Sequence, residues 1–93
     1  MPRRQSEVEK ALEEKGFRRG SGDHNYFHYY TSTGKKSPVF TKTSHGAREI
    51  NDSLLGRMAK QCRLTRSEFE QLIECPLSRS TYETKLVEAG VIQ

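Results

Sequence analysis

Tryptophan is absent from this chain, and cysteine occurs only twice, as Cys62 and Cys75. Neither belongs to a CxxC pair or to the Cys/His spacing that holds zinc, and one falls at an apolar helical position, so both read as reduced, packed thiols. Long apolar runs are missing as well. Nothing approaches the length of a membrane span, and the amino end MPRRQSEVEK has no hydrophobic region of a signal peptide, so the chain is expected to stay in the cytoplasm, away from membranes. Apolar residues make up only 32% of the chain against 30% charged, with a mean hydropathy of -0.87. They are nevertheless patterned, which argues against a disordered tail. With 93 residues the chain suits a single domain, expected over 1-93. A chain this short buries only roughly two thirds of its unfolded surface, so the core is modest.

Charge is the first thing present in excess. Lys plus Arg outnumber Asp plus Glu by 16 to 12, giving +4 and an isoelectric point near 9.3. Such a surface favours a polyanion or an acidic partner, although solubility alone accounts for a bias of this size. Its distribution says more. Arg18, Arg19, Lys35, Lys36, Lys42 and Arg48 gather around the strand-forming stretches and their turn, while the acids concentrate in helix-forming ones. That local imbalance suits RNA phosphate contact. A solvated basic edge that discourages sheet aggregation fits Lys35 and Lys36 nearly as well.

The apolar pattern predicts an α+β fold of order α-β-β-β-α, followed by two short helices. Ser6 and Glu9 have the spacing of a capping box, Val8, Ala11 and Leu12 share one face, and Gly16 supplies a left-handed stop. Three β-forming stretches follow: Phe17 to Arg19, Asn25 to Thr31, and Pro38 to Thr43. Their connectors are too short for crossover helices, so they pair antiparallel. In the middle strand, period two sends Tyr26, His28 and Tyr30 to one face and Phe27, Tyr29 and Thr31 to the other. Helices on one side of the sheet would bury one row and leave the other as an exposed ring surface. A helix from Asn51 or Asp52 to about Arg63 carries Leu54, Leu55, Met58, Ala59 and Cys62. Thr65 with Glu68, and Ser80 with Glu83, repeat the capping-box spacing ahead of two further apolar stripes. The core is expected over 6-63, with 64-93 as a helical extension of it.

The ordered motifs are a helix ending in KGF, then GDH opening an aromatic strand, then FTKTSHG and a helix. In that order the chain resembles the HicA family of toxins from type II toxin-antitoxin systems, small endoribonucleases of a double-stranded-RNA-binding-like (dsRBD-like) fold. The hallmark Gly-Ser-His-His stretch of that family stands here as Gly22-Asp23-His24-Asn25, with His24 at the catalytic histidine. Thr43 replaces the usual proline ahead of His45 and Gly46. The resemblance covers roughly residues 6 to 63, judged by motif order. It implies metal-independent cleavage of mRNA, no cofactor, and a HicB-type antitoxin that covers His24.

Histidine suits this reaction. With an ordinary pKa of about 6.5 it can take the proton from a 2′-hydroxyl or give one to a departing 5′-oxygen. His24 is therefore the candidate catalytic residue, set against the alternative of a turn-capping imidazole. Asp23 either supports that ring by its charge or is only a turn residue. His45 is a second proton carrier, a phosphate contact, or a structural residue. His28, further along the same strand face, neighbours the site or belongs to the aromatic row. Tyr26 or Tyr30, if exposed, could stack on unpaired bases. Two rival classes remain open: a noncatalytic RNA-binding module, and a protein-interaction adaptor built on the last helices.

Overall fold

A computed structural model describes residues 3-20, 22, 24-44, 48-74 and 76-92. In chain order it contains β1 (Arg3–Arg4), α1 (Gln5–Glu14), β2 (Phe17–Gly20), β3 (Asn25–Tyr30), β4 (Lys36–Thr43), β5 (Glu49–Ile50), α2 (Asp52–Gln61), α3 (Arg66–Glu74) and α4 (Arg79–Glu88). The fold is α+β: β2, β3 and β4 form an antiparallel sheet in that order, accompanied by four helices.

Alternation in β3 decides the two faces of the sheet. Phe27 and Tyr29 are fully buried and Thr31 nearly so, whereas Tyr26, His28 and Tyr30 are half-buried on the opposite face. The register carries this outer row onto both neighbours, setting Arg18 across from His28, Phe40 across from His28, and Lys42 across from Tyr26. On the inner face α1 packs against β2 and α3, and α2 against β4 and α3. Gly16 closes α1 at φ 101°. A β-carbon there would stand 2.5 Å from Nε of Arg79, so glycine is needed both for the backbone turn and for the approach of α4.

Three local expectations change. The Ser6 and Glu9 spacing is not a capping box: α1 starts at Gln5, Arg4 holds the N-cap position without a side-chain bond, and Glu9 is buried. Ser80 and Glu83 are not one either, because Ser78 caps α4 by accepting from the Thr81 amide, while Glu83 turns to the sheet. Thr65 and Glu68 do form the reciprocal pair, at 2.9 and 3.1 Å. A two-stranded ribbon, β1 with β5, was not foreseen, since two-residue strands leave no period to read.

The core is one continuous cluster. Val8 and Leu12 of α1 and Phe27 and Tyr29 of β3 share it with Leu55 and Met58 of α2, Phe69 and Leu72 of α3, and Tyr82 and Leu86 of α4. Residues 64-92 are thus part of the same core as the helices and strands before them. Cys62 is a free, buried thiol, and burial pushes its pKa up; Cys75 lies outside the described residues. No described helix is long and apolar enough to cross a membrane.

Candidate functional site

His24 stands one residue ahead of β3 and lines a cavity of about 130 Å³ between the end of β4 and the face of α2. Lys42, Thr43 and Ser44 form its strand side, and Leu54, Arg57 and Gln61 its helix side. The imidazole is half-buried, meets the Tyr26 ring edge-on at 6.1 Å, and its Nδ1 is buried without a hydrogen-bond partner among the described residues. Buried polar atoms are nearly always paired, so an unpaired ring nitrogen beside a cavity is a feature that calls for a chemical reason. Gly22 shapes the approach to it: its φ is 149°, and a β-carbon would come within 3.3 Å of the Tyr26 ring.

A buried carboxylate fixes the wall behind this cavity. Glu9 accepts from Asn25 Nδ2 (3.3 Å), Thr43 Oγ1 (2.6 Å) and Gln5 Nε2 (3.1 Å) on one oxygen, and from Arg19 Nη2 (3.0 Å) on the other. Gln5 Nε2 also donates to the Ser44 carbonyl at 2.7 Å. The residue after His24, the last residue of β4 and the one that follows it are thereby tied to α1. Asn25, which stands where the HicA pattern has its second histidine, spends its amide on this carboxylate.

Electrostatically the cavity is cationic. Lys42 and Arg57 both line it, and among the described residues neither makes an ion pair or side-chain hydrogen bond and no carboxylate lines it. Two cations beside an imidazole can hold a phosphodiester next to a proton carrier. Among the described residues no group of three or more His, Cys, Asp or Glu could hold a metal ion.

The other expected residues divide. Arg18 lies on the outer face, 4.2 Å over the Tyr30 ring, and Lys36 pairs in register with Tyr30 on that face. Lys35 is exposed in the β3–β4 turn, away from His24, and lines a separate small cavity with Thr31 and Ile92. Arg19 does not join the cluster: it sits over Phe27 and pairs with Glu9 and Glu13, because odd and even strand positions face opposite ways. Arg48 is also elsewhere, in a concavity of about 670 Å³ with Arg4, Ser6 and Glu49. That concavity is the larger, yet none of its described lining residues is a histidine. His28 stacks on Phe40 at 5.6 Å, and burial, assisted by the charge of Lys36, holds its pKa below the ordinary value. It belongs to the aromatic row. Asp23 and His45 lie outside the described residues.

Arg57 and Gln61 are the site residues that sequence reasoning missed. Their i,i+4 spacing on the helix after the strands was a usable signal, because it puts both on one side of α2. What the sequence could not supply was the side facing β4. The chain matches no protein-family model, and comparison with curated proteins and with solved structures likewise finds no match.

Proposed function

We propose that this chain is a metal-independent endoribonuclease, the toxin of a HicA-type toxin-antitoxin pair, acting on mRNA with His24 as its general acid or base. The observation that carries the reading is the unpaired Nδ1 of His24 beside two uncommitted cations, Lys42 and Arg57. In the reaction the ribose 2′-oxygen, losing its proton, bonds to the adjacent phosphorus while the bond to the 5′-oxygen breaks and that oxygen gains a proton. The products are a 2′,3′-cyclic phosphate and a 5′-hydroxyl. His24 serves one of the two proton transfers, and water the other. Lys42 and Arg57 offset the charge that builds on the phosphoryl oxygens. A HicB-type antitoxin covering this cationic cavity would silence it, and its acidic surface would speed the encounter.

His24→Ala is expected to lower RNA cleavage by roughly 10² to 10⁴, as for loss of a general acid or base, while RNA binding persists. Growth arrest on expression should vanish with it. Cleavage unchanged in this variant overturns the assignment of His24. A second reading, a noncatalytic RNA-binding module, draws on Asn25, whose amide is committed to Glu9 where the family pattern has an imidazole. No cleavage by the unaltered chain, with RNA still bound, decides for that module.

A further inference from the structure

A second cavity adjoins the first. It measures about 270 Å³ and is lined by Pro38 and Phe40 of β4 and by Lys60, Gln61 and Arg63 at the end of α2. Gln61 also lines the His24 cavity, so one side chain forms the wall between the two. We infer that this second cavity is a nucleotide subsite, in which single-stranded RNA leaving the His24 cavity stacks a base on Phe40 and lays successive phosphates against Lys60 and Arg63. The inference rests on RNA being the ligand of the His24 site.

Three observations support it independently of the imidazole. Phe40 is one of only two large apolar side chains exposed among the described residues, at 40%, and it is held in place by stacking on His28 and by Tyr26 at 6.4 Å. An exposed ring with its rear fixed by other rings is a rigid stacking platform, and every base offers a face to it. Among the described residues Lys60 and Arg63 make no ion pair and no side-chain hydrogen bond, and no carboxylate lines the cavity. Arg57 and Lys60 on α2 and Arg63 two residues past its end line the two cavities in turn, which suits successive phosphates of one strand.

Gln61 completes the arrangement. Its Oε1 accepts from Thr41 Oγ1 at 2.7 Å, which orients the amide, and its Nε2 makes no hydrogen bond among the described residues. That nitrogen is a pre-set donor at the junction of the two cavities. The dimensions favour a single strand, because stacking on Phe40 requires an unpaired base and an A-form duplex keeps its bases paired and stacked. A protein partner is the other class of occupant, and its expected mark, a complementary apolar groove, is replaced here by one ring and two cations.

The test uses the full chain carrying His24→Ala, so that RNA is bound without being consumed, and a labelled single-stranded RNA of mixed sequence long enough to span both cavities. Added Phe40→Ala should weaken binding roughly tenfold, and Phe40→Tyr should restore it, as for loss and return of a stacked base. Added Lys60→Ala with Arg63→Ala should flatten the dependence of log affinity on log salt by about 1.4, two single-strand phosphate contacts at roughly 0.7 each. Phe40 is exposed, so circular dichroism should show each variant folded. RNA bound with affinity and salt slope unchanged in these variants overturns the subsite while leaving the ribonuclease reading intact. Loss of RNA affinity in the variants, alongside no cleavage by the unaltered chain, supports the subsite and sinks the nuclease. No RNA binding at any salt, or a weakened protein complex with RNA affinity unaffected, overturns it.

Discussion

At the scale of single residues, Glu9 is the side chain on which the geometry of the candidate site depends. Its two oxygens gather donors from α1, β2, β3 and β4, and the donors from β3 and β4 flank the His24 cavity. Removing it strands the buried Thr43 Oγ1 and the half-buried Asn25 amide, and an unsatisfied buried group is costly. Glu9→Ala should therefore destabilise the fold by about 2 kcal/mol, a figure kept low because Arg19 is partly exposed and recovers water. Urea denaturation measures it. The same variant should also lower RNA cleavage although Glu9 touches no substrate, and Glu9→Gln, which keeps the shape, should recover most of the folding stability. Ser6 with Glu9 matched a capping box in the sequence because that motif is defined by spacing alone. The competing partners come from residues up to 34 positions away, a separation that no local pattern encodes.

At the scale of elements, the two capping-box spacings in the last third of the chain had opposite outcomes for one physical reason. Among the described residues Glu68 bonds its own helix start and Lys85, and it caps. Glu83 has the Tyr29 hydroxyl at 2.6 Å and the Ser32 amide at 2.8 Å, and these outcompete the start of its helix. Together with Arg79, which donates to the carbonyls of Tyr30 and Thr31, it fastens α4 to the end of β3. The Tyr29 hydroxyl bond, followed in effect by the Ser32 amide, holds the Glu83 carboxyl below its ordinary pKa, while burial and Glu83 push Tyr29 up to about 12. A carboxylate depressed in the folded state contributes stability that is present above its unfolded value and disappears as pH falls through the lowered one. Glu83→Gln should thus cost about 1 kcal/mol near neutrality and flatten the loss of stability on acidification below about pH 4.5. Melting temperatures taken across that range for both chains check this, and an unchanged acid limb refutes it.

For the whole molecule, the decisive fact is that the rings of the sheet and of the last helix pack on one another. Phe17 meets Tyr29 edge-on at 5.3 Å and stacks with Tyr82 at 5.9 Å, while the Tyr82 hydroxyl donates to the Cys62 carbonyl at 2.7 Å. A chain ending at residue 63 would lose Phe69, Leu72, Tyr82 and Leu86 from the core, all essentially fully buried. At roughly 2 kcal/mol each, that loss of about 8 kcal/mol is comparable to the entire stability of a small domain. Residues 1-63 alone should fail to fold, visible as a missing cooperative thermal transition. The stretch carrying the HicA resemblance is therefore shorter than the unit that folds.

The sequence by itself determined the four helices, the three strands of the main sheet and the two faces of β3. Apolar spacing marks four helices, and period two separates Phe27 and Tyr29 from Tyr26, His28 and Tyr30, because side-chain direction follows directly from backbone geometry. Part of the candidate site was legible too: His24 stood out by its motif, and Lys42 as one of the basic residues gathered around the strands. Only the tertiary structure decided which cations share a cavity with His24. It brought in Arg57 and Gln61 from α2, turned Arg19 toward Glu9, and left Arg48 by the β1–β5 ribbon. The physical reason is that a side chain's partners depend on which faces of separate elements meet. That meeting is set by core packing across the whole chain, down to Tyr82 and Leu86, rather than by any spacing within one element.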